Sequence, residues 1–337
     1  MQDVSVIIPN FNGKKYLKGC LDSLRKQDYL YFEVILVDNG SEDGSVEWTK
    51  ENYPEVRVIA LKENTGFCGG VNAGIRESKS EYVLLLNNDT IVFPEFITEL
   101  VHAIERAPDI FSCQAKMLQI QDENKMDDAG NFYCALGWAF ADGKGKPESE
   151  YNKTREIFAS CAGAAIYRKE ILDEIGYFDE EHFAYLEDVD IGYRAKLHGY
   201  RNLFCPTARV LHVGSGTSGS RYNLFKIRYS SRNNLYLIYK NMPLWQIILN
   251  FPLLFVGFTI KTVFFASKGF GKDYIKGMWN GIVISKENKE KKVRNVAHQR
   301  ERCWKIQLEL YKNIGKRFRS EKRKYIIDIE RSIERKQ

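Results

Sequence analysis

The segment 183–194, FAYLEDVDIGYR, sets Glu187 and Asp188 side by side, with Asp190 two positions further on. Carboxyl groups grouped in this way serve as proton acceptors or as oxygen ligands for hard cations, provided that something holds them at a pocket. An earlier run ends in Asn87-Asn88-Asp89, so two acidic sites far apart in the chain can face one crevice. On a helix continuing from Asp188, Val189, Tyr193 and Leu197 recur on one face and pack inward, which leaves the acids at the rim. The competing reading is that Glu187 and Asp188 only favour the positive end of the helix dipole. His212 closes an apolar run before the Gly/Ser-rich stretch 214–220. A lone histidine after a strand is usually a structural hydrogen-bonding residue, and the stretch behind it reads as a closing flap or as plain linker.

The elements that must position these residues are legible from residue 4 to about 118. The runs 4–9, 33–38, 56–61 and 81–87 are short and β-rich, and helix-compatible segments with turn residues at their ends lie between them. A βαβ series of this kind builds a parallel sheet covered by helices, with ligands outside the carboxyl ends of the strands. Polar and glycine residues gather at those ends: Asn10-Phe11-Asn12-Gly13, Asp38-Asn39-Gly40-Ser41, the stretch 64–70 and Asn87-Asn88-Asp89. Each cluster alone is ordinary turn chemistry. Four of them at carboxyl ends point to a ligand site. No G-x-G-x-x-G follows the first strand and no G-x-x-x-x-G-K-[ST] occurs, which argues against a Rossmann dehydrogenase and a P-loop enzyme. The glycine-rich 64–70 either lets backbone approach a ligand or caps and turns the chain.

With 337 residues, 44% of them hydrophobic, the chain can bury a full core as one large domain or two modest ones. The seven cysteines are scattered without a C-x-x-C pair, against a disulfide framework or a zinc cluster and in keeping with a reducing cytosol. The apolar run near the N-terminus is about five residues long with no basic residue before it, so it reads as a strand and not as a secretory signal. Net charge is +6, but residues 286–337 hold 18 Lys plus Arg against 8 Asp plus Glu, a tail of +10 behind a body of −4. Such a tail holds nucleic acid, an anionic membrane surface or only water.

Between them, Arg221, Lys226, Arg228, Arg232 and Lys240 interleave with Tyr222, Phe225, Tyr229, Tyr236 and Tyr239, a composition suited to gripping phosphate. Nucleic acid is disfavoured as the partner because no RNA- or DNA-binding motif accompanies it. The stretch 244–266 is 23 residues long and strongly apolar, interrupted by Gln246, Asn250, Pro252 and Lys261. That is marginal for a spanning helix and better suited to one lying at the membrane interface, the alternative being a buried core helix.

The runs SVIIPNFNG (5–13), VDNGSEDGS (37–45), NTGFCGGVNAGI (64–75), LLLNNDT (84–90), CAGAAIYRKEILDEIGYFDE (161–180) and FAYLEDVDIGYRAKLHGY (183–200) resemble glycosyltransferase family 2. More narrowly they resemble its bacterial rhamnosyltransferase-like branch, which builds cell-surface polysaccharides. The resemblance covers residues 4 to about 240. It implies an α/β fold of GT-A type, with a Rossmann-like, mostly parallel nucleotide-binding sheet. It further implies a dTDP- or UDP-sugar donor, a divalent metal (Mg²⁺ or Mn²⁺) and an inverting transfer to a glycan or polyprenyl-diphosphate-linked acceptor.

Carried over by position, the resemblance places Pro9 and Phe11 at the base and has Asp38 accept the imide N–H of a uracil or thymine. Asn64, Gly66, Asn72 and Asn88 join them in the donor site. Asn88 and Asp89 match the last two positions of the family's D-x-D motif, whose first position is here Asn87. Asp89 and His212 become metal ligands. Asp188 becomes the general base with Glu187 beside it, and Glu187 and Asp190 are the runner-up bases. The chain then divides into a catalytic domain (1–240), a membrane-associating helical region (241–285) and a basic helical tail (286–337), on the cytoplasmic face of the membrane. A non-catalytic sugar-nucleotide-binding or scaffold protein is the alternative, which Asn87 favours and the Glu187-Asp188 pair opposes. A nucleotidyltransferase fits less well, for want of a basic, glycine-rich phosphate loop.

Overall fold

A computed structural model describes residues 3–214, 223–294 and 296–334, with side chains to residue 319. Strands β1 (Val4–Asn10), β2 (Phe32–Asp38), β3 (Arg57–Ala60) and β4 (Tyr82–Leu86) alternate with helices α1 (Lys14–Leu24), α2 (Ser45–Asn52) and α3 (Gly66–Glu77). All four strands are parallel, in the order β4-β1-β2-β3, as the βαβ pattern requires. β4 reads Tyr-Val-Leu-Leu-Leu and is buried throughout, the mark of a strand with both faces covered.

Beyond β4 the sheet becomes mixed. In chain order come β5 (Thr90–Val92), α4 (Phe96–Ile104), β6 (Ile110–Gln119), β7 (Asp122–Asp128), the separate hairpin of β8 (Asn131–Cys134) and β9 (Trp138–Ala141), β10 (Arg155–Ile157), β11 (Ala164–Arg168), α5 (Lys169–Ile175), α6 (Glu187–His198) and β12 (Arg201–His212). β11 inserts antiparallel between β4 and β6 and so joins the two halves into one sheet of ten strands. Val189, Tyr193 and Leu197 face inward on α6, as their spacing predicts.

Four helices follow: α7 (Leu224–Asn241), α8 (Leu244–Ser267), α9 (Gly271–Glu287) and α10 (Gln299–Glu334). The expected boundaries at 240 and 285 fall inside one buried cluster, in which Leu254, Phe258, Tyr274, Cys303, Ile306 and Leu310 pack with Phe132, Tyr133, Val189 and Tyr193. The first turns of α10 are therefore part of the core, because its apolar residues recur at helical spacing on the side facing β8 and α6.

Helix α8 is built inside out. Gln246 and Asn250, which interrupt its apolar sequence, are fully buried and share a side-chain amide network with Gln307 at 2.7–2.9 Å. Further along, Trp138 Nε1 donates to Gly257 O at 3.0 Å, and a Cβ on Gly257 would stand 2.0 Å from Leu136 O. Ile248, Phe251, Phe255 and Val263 are exposed instead.

Candidate active site

The polar ends of the parallel strands are stitched to one another. Asn10, at the end of β1, donates through Nδ2 to Asp38 Oδ2 (2.9 Å) and Ser45 Oγ (3.0 Å), and accepts from Asn88 Nδ2 (2.7 Å). Asp38 also accepts from Ser41 N and Ser45 Oγ and is 2% exposed, so its carboxylate organises the loop after β2. Asn39 continues the chain of contacts to Thr65 N and Gly66 O. Asn64 is exposed and holds Gly66 N, while Pro9 is part-buried and Phe11 exposed at the same edge.

Two residues expected at the donor have close partners within the protein. Asn72 does not face the crevice: its amide donates to Phe178 O and Glu180 Oε1 and accepts from Phe178 N, which pins α3 to the segment before α6. Gly66 has φ +76°, and a Cβ there would meet the Phe183 ring and carbonyl at 2.6 Å. Glycine is required here by that close approach and by the left-handed backbone.

Strand pairing brings the two expected metal ligands together. β5 runs antiparallel to β12 with Thr90 opposite His212, which puts His212 Nε2 3.3 Å from Asp89 Oδ1. His212 Nδ1 faces Asp127 Oδ2 at 2.7 Å, and Lys144 pairs with the other oxygen of Asp127. Burial lowers the affinity of this imidazole for its proton, but the bonds to Asp127 and Asp89 outweigh it and raise the pKa to about 9. Asp127 was not anticipated, although the doublet Asp127-Asp128 before Ala129-Gly130 resembles the acidic strand ends already singled out. An imidazole oriented by an outer carboxylate, with a second carboxylate at its free nitrogen, is a donor set that fits a divalent ion. Among the described residues no group of three or more ligating side chains is present, so further ligands would be substrate oxygens or water.

The acids of α6 part company. Phe183, Tyr185 and Leu186 all have positive φ (60°, 71° and 68°), an entry that costs on the order of 1–3 kcal/mol per residue. It is held from α7, where Asn233 Nδ2 donates to the carbonyls of His182, Ala184 and Tyr185 at 2.8–2.9 Å. Asp188 is half-buried; Oδ2 accepts from Asn131 Nδ2 and Oδ1 from Val189 N. Burial holds the Asp188 carboxyl above the usual range, and burial together with Asp188 lifts Glu187 further. One oxygen of Glu187 is buried without a hydrogen-bond partner among the described residues.

Asp190 is not at the rim. It is fully buried and accepts from Arg194, Lys240 and Asn241 at 2.8–3.0 Å; against the effect of burial, Lys240 and Arg194 hold its pKa well below the usual range. No substrate reaches it, which removes it as a runner-up base. Lys240 is likewise spent on Asp179 and Asp190, Arg228 on Asp273 and Arg232 on the carbonyls of Glu181 and His182, so these cations brace the chain and do not form an open phosphate grip. Arg221, Tyr222 and the flap stretch from 215 onward lie outside the described residues.

The family model for glycosyl transferase family 2 matches residues 5–176. The chain belongs to glycosyl transferase family 2. It is a glycosyltransferase and acts on nucleotide-sugar donors. Among its relatives is the N-acetylglucosaminyl-diphospho-decaprenol L-rhamnosyltransferase of Mycobacterium tuberculosis, 26% identical over 246 residues, covering 65% of this chain and 79% of that protein. The Staphylococcus aureus TarS 1–349 structure in complex with UDP-GlcNAc aligns with TM-score 0.57 at 21% identity, covering 83% of this chain and 80% of the other. The mannosyltransferase PcManGT from Pyrobaculum calidifontis, in complex with GDP-Man and Mn²⁺, aligns with TM-score 0.51 at 16% identity, covering 83% and 84%. At these identities the two structures establish the shared GT-A fold of this family 2 enzyme.

Proposed function

We propose that this enzyme transfers a sugar, rhamnose in our reading, with inversion from a dTDP- or UDP-sugar to a hydroxyl of a glycan or polyprenyl-diphosphate-linked acceptor in cell-surface polysaccharide synthesis. The observation that carries the reading is the state of Asp188 at the start of α6: half-buried, tethered by Asn131 and with a raised proton affinity, while Asp127, four positions before Asn131, holds His212 beside Asp89. An inverting transfer needs a carboxylate that removes the proton of the attacking hydroxyl, and a base with pKa near the working pH does so most effectively. Asn131 and the Val189 N–H fix the direction of the Asp188 oxygens. Glu187, held in its neutral form by burial and by Asp188, keeps a second negative charge away from the base. Asp89 and His212 would hold the divalent ion, which neutralises charge on the departing diphosphate. The edge formed by Pro9, Phe11 and the Asp38 loop would receive the base, with Asn64, Gly66 and Asn88 bordering the donor.

Membrane attachment belongs to the same proposal. Helix α8 is long and apolar enough to cross a bilayer, with a mean hydropathy of 1.9, but its buried polar face is fastened to the domain from Gln246 to Gly257. A helix fastened in this way lies flat, with its outward apolar residues in the interface and the +10 tail toward anionic lipid.

The test is transfer and donor hydrolysis across a set of nucleotide sugars with and without Mn²⁺. Turnover with a dTDP- or UDP-sugar, lost together with metal-dependent nucleotide affinity in Asp89→Ala, is the expected outcome. Tight binding of guanosine or cytidine diphosphate, with none of uridine or thymidine diphosphate, would overturn the assignment of the base pocket.

A further inference from the structure

The far end of α6 borders an open cavity of about 450 Å³, flanked by the end of α5, the end of α7 and residues 291–294 and 296 of the connection between α9 and α10. Arg194, Lys240, Lys291, Lys292 and Arg294 line it, and Asp179 supplies the one carboxylate among its lining residues. The inner cations are already matched: Lys240 binds Asp179 and Asp190, Arg194 binds Asp190, and Lys291 binds Asp179 and Glu181. Three acids thus answer three bases. Lys292 and Arg294 remain. Lys292 lies over the Tyr239 ring at 4.7 Å, and neither residue has a carboxylate partner among the described residues. Burial, with Arg294 nearby, lowers the affinity of Lys292 for its proton, as expected for a cation that lacks its counter-charge.

A second cavity, of about 490 Å³, follows along the same two stretches of chain, lined by Pro243, Trp245, Cys303 and Trp304 with Gln299 and Arg300. Lys240 and Pro243, and Val296 and Gln299, each stand three positions apart, so the lining of the charged cavity neighbours that of the aromatic one along the chain. Trp304 of that lining is exposed, as are Leu244, next to Trp245, and Leu308, one helical turn beyond Trp304. That pairing suits a ligand with a compact anionic head and an apolar chain.

We propose that the cavity between the end of α6 and residues 291–294 binds a phosphate or diphosphate group, carried by a lipid whose chain lies in the neighbouring apolar cavity. The site is separate from the catalytic acids: His198 is ten residue steps along α6 from Asp188, about 15 Å at the helical rise. The lipid source rests on the membrane reading above. The phosphate chemistry does not.

The test compares the full-length protein with Lys292→Gln/Arg294→Gln and with the charge-keeping Lys292→Arg/Arg294→Lys. Flotation is measured with phosphatidic acid vesicles and with phosphatidylglycerol vesicles of equal surface charge, and inorganic pyrophosphate is titrated calorimetrically without vesicles. The native protein should prefer phosphatidic acid; the neutral variant should bind those vesicles roughly thirtyfold more weakly and lose the preference, since two cations near an anionic surface are removed. The charge-keeping variant should retain it, and hydrolysis of the nucleotide sugar should be the same in all three. If pyrophosphate binding depends on the two cations while both vesicle types recruit equally, the site takes free phosphate and the lipid source is overturned. If the neutral variant matches the native protein in every arm, the site itself is overturned, whatever the outcome for glycosyl transfer.

Discussion

Helix α6 carries two aspartates two residues apart whose surroundings are opposite. Among the described residues Asp188 meets only neutral donors, Asn131 and a backbone N–H, so burial dominates and its affinity for a proton rises. Asp190, fully buried, meets Lys240, Arg194 and Asn241, and the cations override burial. Burial alone therefore does not make a base: an acid becomes one where it is dry, uncompensated and still reachable, and becomes a brace where cations surround it.

The largest effect expected from breaking this contrast is at the half-buried acid. Asp188→Asn should lower kcat by about 10²- to 10⁴-fold, the usual contribution of a general base, with donor affinity nearly unchanged in calorimetry. Near-native turnover would pass the role to Glu187. At the sealed acid the effect should fall on stability. Lys240→Met leaves Asp179 and Asp190 short of a shared cation and should cost about 3–5 kcal/mol in urea unfolding, the scale for breaking a buried ion pair. A loss below about 1 kcal/mol would show that Arg194 and Lys291 suffice.

The pH dependences should run in opposite directions. Glu187 is raised from the ordinary value near 4.5 to about 8 in the fold, so the stability it confers is complete below 4.5 and is lost as pH rises toward 8. Asp190 is lowered, so its contribution is present above the ordinary carboxylate range and is lost as pH falls through its native value. Glu187→Gln should flatten the decline in unfolding free energy between mildly acidic and mildly alkaline pH, while Asp190→Asn should leave that limb in place. Asn131→Ala should have the smallest effect, lowering kcat about tenfold through loss of one hydrogen bond to a charged group, without a change in nucleotide affinity. An unchanged kcat would show that Val189 N–H alone directs Asp188.

Much of this architecture is local and was legible in the chain. The β-rich runs and the polar residues after them marked the parallel half of the sheet, and helical spacing marked the inward face of α6. The expected ligands Asp89 and His212 do meet, but the step that joins them is a strand pairing between residues 90 and 212. Gln246 and Asn250 read as interruptions in an apolar helix because their partner, Gln307, lies 57 or more residues away.

What the sequence determined by itself is the periodicity and turn chemistry that each residue shares with near neighbours, together with the motif order that fits the family. Only the tertiary structure decided which acid stays open, which histidine nitrogen faces Asp127, that Asn72 is a strut and that the polar side of α8 turns inward. Those outcomes depend on charge compensation and hydrogen-bond satisfaction between distant residues: Asn131 is 57 positions from Asp188, Lys240 is 50 from Asp190 and Asp127 is 85 from His212. A carboxylate carries the same letter whether a cation or an amide will meet it, and that meeting is made only when the sheet and α7 close around α6.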